Sequence, residues 1–279
     1  MLLVIGATGT VGTPLVSQLV AAGHSVRVLA RNPDKAKKFG GKVDLVIGDL
    51  DDEESIAKAM RGVERFFLIT TSTQQDRNAL AAAKRNGVGH VVKISTQEAG
   101  WIPVQGHGHW HKEREELIRS SGLGWTFVRP CMYMNFALSW IQSVRSKNAV
   151  YSAGGEGKLG PVDPWDVAAV AKVALTTPGH ENAAYELTGP ELLSIDDMVV
   201  VLSKVIGRPI SHIAVSDEQQ GEAFAKMGLP QYAVRGLMET FSLIKAGRFA
   251  YLTDDVRKVT GADARTFESW AQQHVAAFG

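Results

Sequence analysis

The first twenty residues constrain the fold of this 279-residue chain more than any other stretch. Leu2–Ile5 is an apolar run that leads directly into Gly-Ala-Thr-Gly-Thr-Val-Gly at positions 6–12. Apolar residues then recur at helical spacing, at positions 15, 16, 19 and 20. A buried strand that enters a helix through three glycines spaced three apart predicts a dinucleotide-binding turn; the alternative is a glycine-rich turn without a ligand.

Each glycine has a separate physical role in that prediction. Gly6 permits the tight turn, Gly9 lets backbone N–H groups approach the pyrophosphate, and Gly12 lets the helix pack closely on the strand. The phosphates would then meet the positive end of the helix dipole. The residues predicted to bind the cofactor here are Gly6, Thr8, Gly9, Thr10, Val11 and Gly12.

Strands and helices alternate from this turn up to Pro130. The further predicted strands are Val26–Ala30, Val43–Ile47, Arg65–Ile69, His90–Ile94 and Trp125–Val128, with a helix at Lys112–Ser120 before the last of them. This alternation predicts an α/β fold with a doubly wound parallel sheet, the NAD(P)-binding Rossmann fold, whose ligands bind at the carboxyl ends of the strands.

The rhythm changes after Pro130, where a mixed stretch rich in methionine, aromatic residues and glycine begins. We expect an NAD(P)-binding Rossmann domain at 1–190, in which 131–160 contributes to the substrate pocket. A smaller C-terminal substrate or cap lobe at 191–279 is expected to pack on it.

Composition excludes several classes of protein. Thirty basic residues balance twenty-nine acidic ones without a basic run, so neither nucleic acid nor an anionic membrane is an expected partner. The first strand begins at Met1 or Leu2 and no stretch approaches about 20 apolar residues, which predicts a cytoplasmic protein. Cys131 is the only cysteine, which rules out an intrachain disulfide and a cysteine metal cluster. The expected partner is a small molecule; a homodimer stays open.

The end of the second strand indicates which cofactor binds. An acidic residue there would hold the ribose 2′-hydroxyl of NAD, but this chain has Arg31. A guanidinium suits a 2′-phosphate because it donates paired, charge-assisted hydrogen bonds, so NADP(H) is predicted. Lys35 is a candidate to assist, with a solvated helix face as the alternative.

Polar residues follow three further strands and would face the same crevice. Asp49 and Leu50 are expected to contact the adenine, although Asp49 is equally well placed to cap a helix. Hydroxyl groups after the fourth and fifth strands are predicted to line the ribose and nicotinamide path, although such groups also form ordinary turn bonds. These residues are Thr70, Thr71, Ser72, Ser95 and Thr96.

The chain resembles the NmrA-like branch of the atypical short-chain dehydrogenase/reductases. The motifs that carry the resemblance are GATGTVG at 6–12, VRVLARNPDKA at 26–36, GDLDD at 48–52, HVVKIST at 90–96, EREELIRSSGLGWTFVRPCMYMNF at 113–136, VDPWDVAAVA at 162–171 and TGADARTFESWAQQHVAAF at 260–278. The resemblance implies an NADP(H)-binding fold. Relatives include quinone and triphenylmethane dye reductases, and also cofactor-binding regulators that catalyse little.

The chain departs from the wider superfamily at its catalytic pair. Alignment places His107 where the catalytic tyrosine would stand and His111 where the lysine would stand. That pair gives a proton to a basic alkoxide, whereas a hydroquinone anion is a phenolate with a pKa near about 10 and needs the proton less. The sequence therefore favours quinones or cationic dyes over simple ketones.

His107 and His111 have three competing interpretations. In a helix that begins after Gly106, they would share a face and border the nicotinamide or the substrate. The same spacing permits a metal ion, although no metal is our expectation. The third interpretation is a partly exposed helix start in which His111 contacts Glu115.

The sixth strand runs out at Arg129 and Pro130, and the loop that follows it is expected to pass beside the nicotinamide. Its apolar and aromatic side chains would form a flat wall for an aromatic acceptor, and the alternative for each is hydrophobic core. Tyr133 and Asn135 are, with His107, the residues predicted to orient the acceptor. The predicted substrate residues are Trp101, Trp110, Met132, Phe136 and Phe241.

Three functions follow from these features. The first is an NADPH-dependent oxidoreductase that transfers hydride to a conjugated aromatic acceptor such as a quinone. The second is an NADP(H)-binding redox sensor with little catalysis, favoured by the missing catalytic pair. The third is a reductase or isomerase of a specialised metabolite.

Overall fold

The computed structural model describes residues 1–104 and 107–279, and they form two compact units. Unit 1 comprises Met1–Thr96, Trp110–Arg129 and Pro164–Glu186; unit 2 comprises Gln97–His109, Pro130–Asp163 and Leu187–Gly279. Each unit is assembled from three separate stretches of chain. The prediction, by contrast, gave each domain one continuous stretch, 1–190 and 191–279.

Strands and helices are numbered in chain order. The strands are β1 (Leu2–Ile5), β2 (Val26–Ala30), β3 (Asp44–Ile47), β4 (Arg65–Leu68), β5 (His90–Ile94), β6 (Gly124–Pro130), β7 (Ala149–Ser152), β8 (Ala183–Leu187) and β9 (Ser211–Ala214). The helices are α1 (Gly12–Ala21), α2 (Pro33–Ala36), α3 (Glu53–Ala59), α4 (Thr73–Arg85), α5 (Gly108–Arg119), α6 (Ile141–Lys147), α7 (Pro164–Thr176), α8 (Ile195–Ile206), α9 (Asp217–Lys226), α10 (Gln231–Lys245), α11 (Asp255–Thr260) and α12 (Phe267–His274).

Unit 1 is built on a seven-stranded sheet with the order β3-β2-β1-β4-β5-β6-β8. The pairings of β1 with β2 and β4, of β2 with β3, and of β5 with β4 and β6 are all parallel. Apolar runs such as Leu2–Ile5 form strands that are buried on both faces, as expected for a parallel sheet covered by helices. The predicted doubly wound α/β Rossmann fold is confirmed.

The strand order places β1 between β2 and β4, so the chain reverses its direction of winding there. Ligands of such sheets bind outside the carboxyl ends of the strands at this reversal. The sheet packs on a core that includes Leu3, Phe66 and Phe127, each fully buried. The glycine turn therefore follows the central strand at the expected ligand edge.

Unit 2 contains a two-stranded parallel sheet of β7 and β9 and several helices. Its core includes Ile195 and Met198 of α8 and Trp270 of α12, all buried. Helix α8 begins with a capping box in which Ser194 and Asp197 exchange hydrogen bonds. In the part of the chain that the structure describes, no helix is both long and apolar enough to cross a membrane.

Several element boundaries differ from those predicted, by four residues at the start of α5 and by one or two residues at the ends of β3, β4 and β6. Helix α5 begins at Gly108 rather than Lys112, and Gly108 lies against the backbone of Glu98, where a Cβ would be only 2.6 Å away. The stretch 131–160, which has no clear periodicity, contains a 3-10 helix at Met134–Trp140 followed by α6 and β7.

Candidate functional site

In the glycine turn, two of the three positions have no room for a side chain or need a positive φ, and the third is open. Gly6 has a φ of +82°, which favours glycine, and a Cβ on Gly12 would lie 2.1 Å from the carbonyl oxygen of Gly6. A Cβ on Gly9 would come no closer than 3.4 Å to that oxygen. The fold itself thus requires Gly6 and Gly12, whereas Gly9 leaves the outer side of the turn open to a ligand.

Helix α1 presents its N-terminus at this turn. Its N-cap, Val11, makes no side-chain cap hydrogen bond. The backbone N–H of Gly9 donates to Gly6 and that of Thr13 donates to Gly9, at 3.1 and 3.0 Å. The uncapped helix end offers positive dipole and N–H groups to an anion. Thr8 is partly exposed and Thr10 exposed at the same turn.

Lys38 is a cation at the turn that the sequence did not single out. Its ammonium donates to the hydroxyl of Thr13 at 2.7 Å and to the carbonyl oxygen of Thr8 at 3.3 Å. Burial lowers its pKa from the ordinary value. A 3-10 turn at Lys37–Phe39 continues α2 and directs this lysine back to the glycines.

The predicted 2′-phosphate residues are both exposed. Arg31 follows β2, and no carboxylate among the described residues forms an ion pair with it. Lys35 lies in the last turn of α2, while Lys37 is paired with Asp34 at 2.7 Å. Arg31 is thus available to an anionic ligand, and Lys38 rather than Lys35 is the lysine bonded to the turn.

Asp49, which follows β3, makes its hydrogen bonds to nearby residues of its own loop and of α3. Its carboxylate accepts from the backbone N–H of Asp51 at 3.1 Å, and its backbone exchanges hydrogen bonds with the hydroxyl of Ser55. Asp52, not Asp49, caps α3. Leu50 is half-buried against the unit 1 core.

The hydroxyl groups after β4 are already bonded within unit 1. Thr71 donates its hydroxyl and its backbone N–H to the side-chain oxygen of Gln75, and Ser72 caps α4 by accepting from the backbone of Gln75. Thr70 donates to Asp76 at 2.6 Å. Turn chemistry, the alternative interpretation, accounts for these bonds. Contact with the cofactor by these hydroxyls stays a prediction.

Thr70 belongs to a buried charged cluster at the carboxyl ends of β4 and β5. Lys93 donates to Thr70 at 3.1 Å and lies 3.7 Å from Asp76, and Arg114 donates to both Thr70 and Asp76. Burial lowers the pKa of Lys93 to about 8, against the opposing attraction of Asp76. Two buried cations thus share one carboxylate, and Arg114 stacks on the ring of Trp110 at 3.9 Å.

A second buried cluster joins β5, β6 and α5 around Glu115. Ser95 donates to it at 2.6 Å, Arg129 donates twice at 2.6 and 2.9 Å, and Arg119 donates at 3.0 Å. Burial alone would raise the pKa of Glu115, but the bonds and charge of Arg129 hold it below the usual value. Ser95 is thus bonded inside the protein. Thr96 is half-buried.

The two predicted histidines lie at the start of α5, and their role beside the nicotinamide or the substrate stays a prediction. His107 is exposed and precedes α5, because the helix begins at Gly108. His111 is half-buried in the first turn, with its ring edge against Trp110 at 4.7 Å. His107 instead lies beside Gly236 of α10, 3.3 Å from where a Cβ would stand. Within residues 1–104 and 107–279, no group of three metal-ligating side chains is placed to hold an ion.

Three predicted acceptor residues, Asn135, Phe136 and Phe241, make their contacts within unit 2. Asn135 accepts from the indole N–H of Trp270 at 3.0 Å. Phe241 is 1% exposed and packs with Phe136 and Phe224 at centroid distances of 5.8 and 6.0 Å. This burial agrees with the alternative interpretation of Phe241, hydrophobic core, and a role of its ring as acceptor wall stays a prediction.

The other predicted residues of the loop after β6 also belong to unit 2. No hydrogen bond to the hydroxyl of Tyr133 is found among the described residues, and burial raises the pKa of that hydroxyl. Met132 is half-buried and packs against the cluster of Trp101 and Cys131 in unit 2. Burial raises the pKa of Cys131 to about 12, which makes it a small apolar residue rather than a nucleophile. Pro130 ends β6.

Comparisons with known proteins agree with this geometry. A family model described as NAD(P)H-binding matches residues 6–178. An NAD(P)H azoreductase of Xenophilus azovorans is 38% identical, with 100% of this chain and 99% of the relative covered. A (4-alkanoyl-5-oxo-2,5-dihydrofuran-3-yl)methyl phosphate reductase of Streptomyces griseus is 36% identical, with the same coverage.

A solved structure agrees as well. The NADPH-dependent quinone oxidoreductase of Escherichia coli, complexed with NADPH, superposes with a TM-score of 0.87 at 25% identity, covering 98% of this chain and 99% of the other. The open position at Gly9 and the uncapped end of α1 fit the pyrophosphate of such a cofactor. The chain therefore belongs to the NAD(P)H-binding family of oxidoreductases.

Proposed function

We propose that this protein uses NADPH to reduce conjugated acceptors, with quinones as the leading class. Position 107, where the parental tyrosine would stand, holds an exposed histidine outside the helix, and this observation carries the proposal. An enzyme without that acid is suited to acceptors whose reduced anion is stabilised by conjugation.

The relatives support this acceptor class. Their names describe reduction of an azo compound, of a quinone and of a dihydrofuranone that bears an alkanoyl group. Each has a double bond in conjugation with another unsaturated group. A hydride added to such a system leaves a delocalised anion, which water can protonate.

The cofactor half supports NADPH over NADH. Bound NADPH would supply the hydride. The uncapped end of α1 and the open face at Gly9 hold the pyrophosphate, while Arg31 and Lys38 supply positive charge for the 2′-phosphate. Lys38 also donates a hydrogen bond to the carbonyl oxygen of Thr8 in the glycine turn, so the position of its ammonium group depends on the conformation of that turn.

Tyr133 is the strongest candidate to orient the acceptor. Its hydroxyl keeps its proton at neutral pH, because the tyrosine pKa is ordinarily about 10 and burial raises it further. No hydrogen bond from this hydroxyl is found among the described residues. Asn135, the other candidate, uses its carbonyl oxygen to hold Trp270. Tyr133 would donate a hydrogen bond to the acceptor oxygen or nitrogen.

The missing catalytic pair also favours the second candidate, a redox-sensing NADP(H)-binding protein. Steady-state oxidation of NADPH with matched quinones, azo dyes and simple ketones separates the two. We expect turnover with quinones and azo dyes and little with ketones. Tight NADPH binding without turnover of any acceptor would contradict the proposal and favour the sensor.

A further inference from the structure

We infer that Arg248 and Trp101 form an anion-recognising subsite, so that the preferred acceptors are aromatic compounds carrying a sulfonate, carboxylate or phosphate. This inference rests on the proposed function and names its substrate class. Both residues, and all the contacts described below, belong to unit 2.

Trp101 is a rigid aromatic platform. Its indole N–H donates to the hydroxyl of Tyr251 at 3.0 Å, and its ring meets Phe249 edge-on at 4.9 Å. The ring packs in a cluster with Cys131 and, at its edge, Met132. Met132 is a predicted acceptor residue, so the platform is continuous with the predicted acceptor wall.

Arg248 places a cation over this platform. Its guanidinium lies 5.0 Å from the centre of the Trp101 ring, and the side chain is exposed. Its backbone N–H donates to the carbonyl oxygen of Leu243 at 3.0 Å, in the turn that follows α10. The backbone beneath the guanidinium is therefore held in place.

No carboxylate in the described part of the chain neutralises this guanidinium. Among residues 1–104 and 107–279, no acidic side chain forms an ion pair with Arg248. The neighbouring Lys245, by contrast, is paired with Asp217 at 2.6 Å. An arginine on an aromatic face keeps its N–H edges free, and these bind planar or tetrahedral oxyanions through two parallel hydrogen bonds.

The chemistry of the pair matches an anionic aromatic ligand. Trp101 is itself only 9% exposed, so we expect an aromatic ring to lie against the partly buried margin of its cluster, at Met132 and Leu243, while the guanidinium fork binds an oxyanion attached to that ring. A neutral acceptor would use only the first of these contacts. Loss of a charge-assisted pair predicts a ten- to hundredfold effect on the anionic ligand, as an order of magnitude.

The test compares 1,2-naphthoquinone with 1,2-naphthoquinone-4-sulfonate in the wild type and in Arg248→Gln, Arg248→Lys and Arg61→Gln. Arg61 is an exposed arginine on the amino side of β4 and controls for net charge. We expect Arg248→Gln to lower the ratio of sulfonate to neutral kcat/KM about ten- to hundredfold. Arg248→Lys should give an intermediate loss, and Arg61→Gln none.

Binding provides a second readout that does not depend on turnover. Calorimetry with naphthalene-1-sulfonate and 1-naphthol should show weaker binding in Arg248→Gln for the sulfonate only. An unchanged ratio, or the same loss in Arg61→Gln, would overturn the subsite. Equal weakening of NADPH binding would assign Arg248 to the cofactor instead, which also overturns it. Absence of wild-type turnover with either quinone would refute the proposed function. The calorimetric comparison of the sulfonate with 1-naphthol would still test the anion subsite.

Discussion

Gly9 and Gly12 stand in the same turn, yet replacement by alanine should affect them in opposite ways. The Cβ of Gly12→Ala would lie 2.1 Å from the oxygen of Gly6 and 2.7 Å from the Cα of Ala7. Both are backbone atoms, so β1 and α1 must move apart, which should lower the free energy of unfolding by about 1–3 kcal/mol. Gly9→Ala meets nothing closer than 3.4 Å, and Gly9 is not among the glycines with positive φ. Its free energy of unfolding should stay the same or rise by up to about 1 kcal/mol.

NADPH binding should follow the reverse pattern. The Cβ of Gly9→Ala would occupy the open side of the turn, where the phosphates approach the backbone, and we expect at least a tenfold loss of affinity, or about 1.4 kcal/mol. Urea unfolding without cofactor measures the first quantity and calorimetry with NADPH measures the second. A Gly9→Ala protein that is stable and binds NADPH normally would refute this turn as the phosphate site.

Four further predictions concern other residues. Arg31→Glu should lower NADPH affinity at least tenfold in a fluorescence titration and change NADH little; equal losses would refute the 2′-phosphate assignment. Burial lowers the pKa of His90 to about 4, so protonation of this histidine is disfavoured in the folded protein. The contribution of His90 to the free energy of unfolding should be complete above pH 6.5 and should be lost as the pH falls toward 4. Between pH 7 and pH 5 the wild type should lose about 2 kcal/mol more than His90→Asn in urea unfolding, and parallel curves would contradict this. Asp76→Asn leaves two buried cations unpaired and should cost about 3–5 kcal/mol in the same assay; a loss below about 1 kcal/mol would show that the cluster is not held by that carboxylate. Replacing both His107 and His111 by alanine should reduce quinone turnover less than a hundredfold, whereas a larger loss with NADPH affinity intact would reveal an essential acid.

The fold could be predicted from local patterns, because the decisive signals lie within single elements. The apolar run at Leu2–Ile5 and the glycines after it define β1, the turn and α1 without tertiary information. The predicted strand His90–Ile94 coincides with β5. Residues 131–160 could not be assigned, since a 3-10 helix and short elements leave no steady period.

The candidate site was harder to predict because it depends on which polar groups meet in space. The sequence places Thr70 and Ser95 correctly at strand ends, but their hydroxyls turn to Asp76 and Glu115. Charged residues such as Lys93 normally indicate solvated faces, so a buried cluster leaves no local signal. Lys38 could not be singled out, because a 3-10 turn that the sequence pattern does not show directs its side chain to the glycine turn. Arg248 could not be singled out either, because Trp101, on which its guanidinium lies, is far away in the sequence.

Hydride transfer from NADPH to a conjugated acceptor is the central claim, and it is tested most directly by rapid mixing of the protein with NADPH deuterated at the transferred position of the nicotinamide. The account predicts that NADPH absorbance decays in a single turnover only when a quinone is present, and more slowly for the deuterated cofactor. Saturable NADPH binding with no acceptor-dependent decay would contradict it.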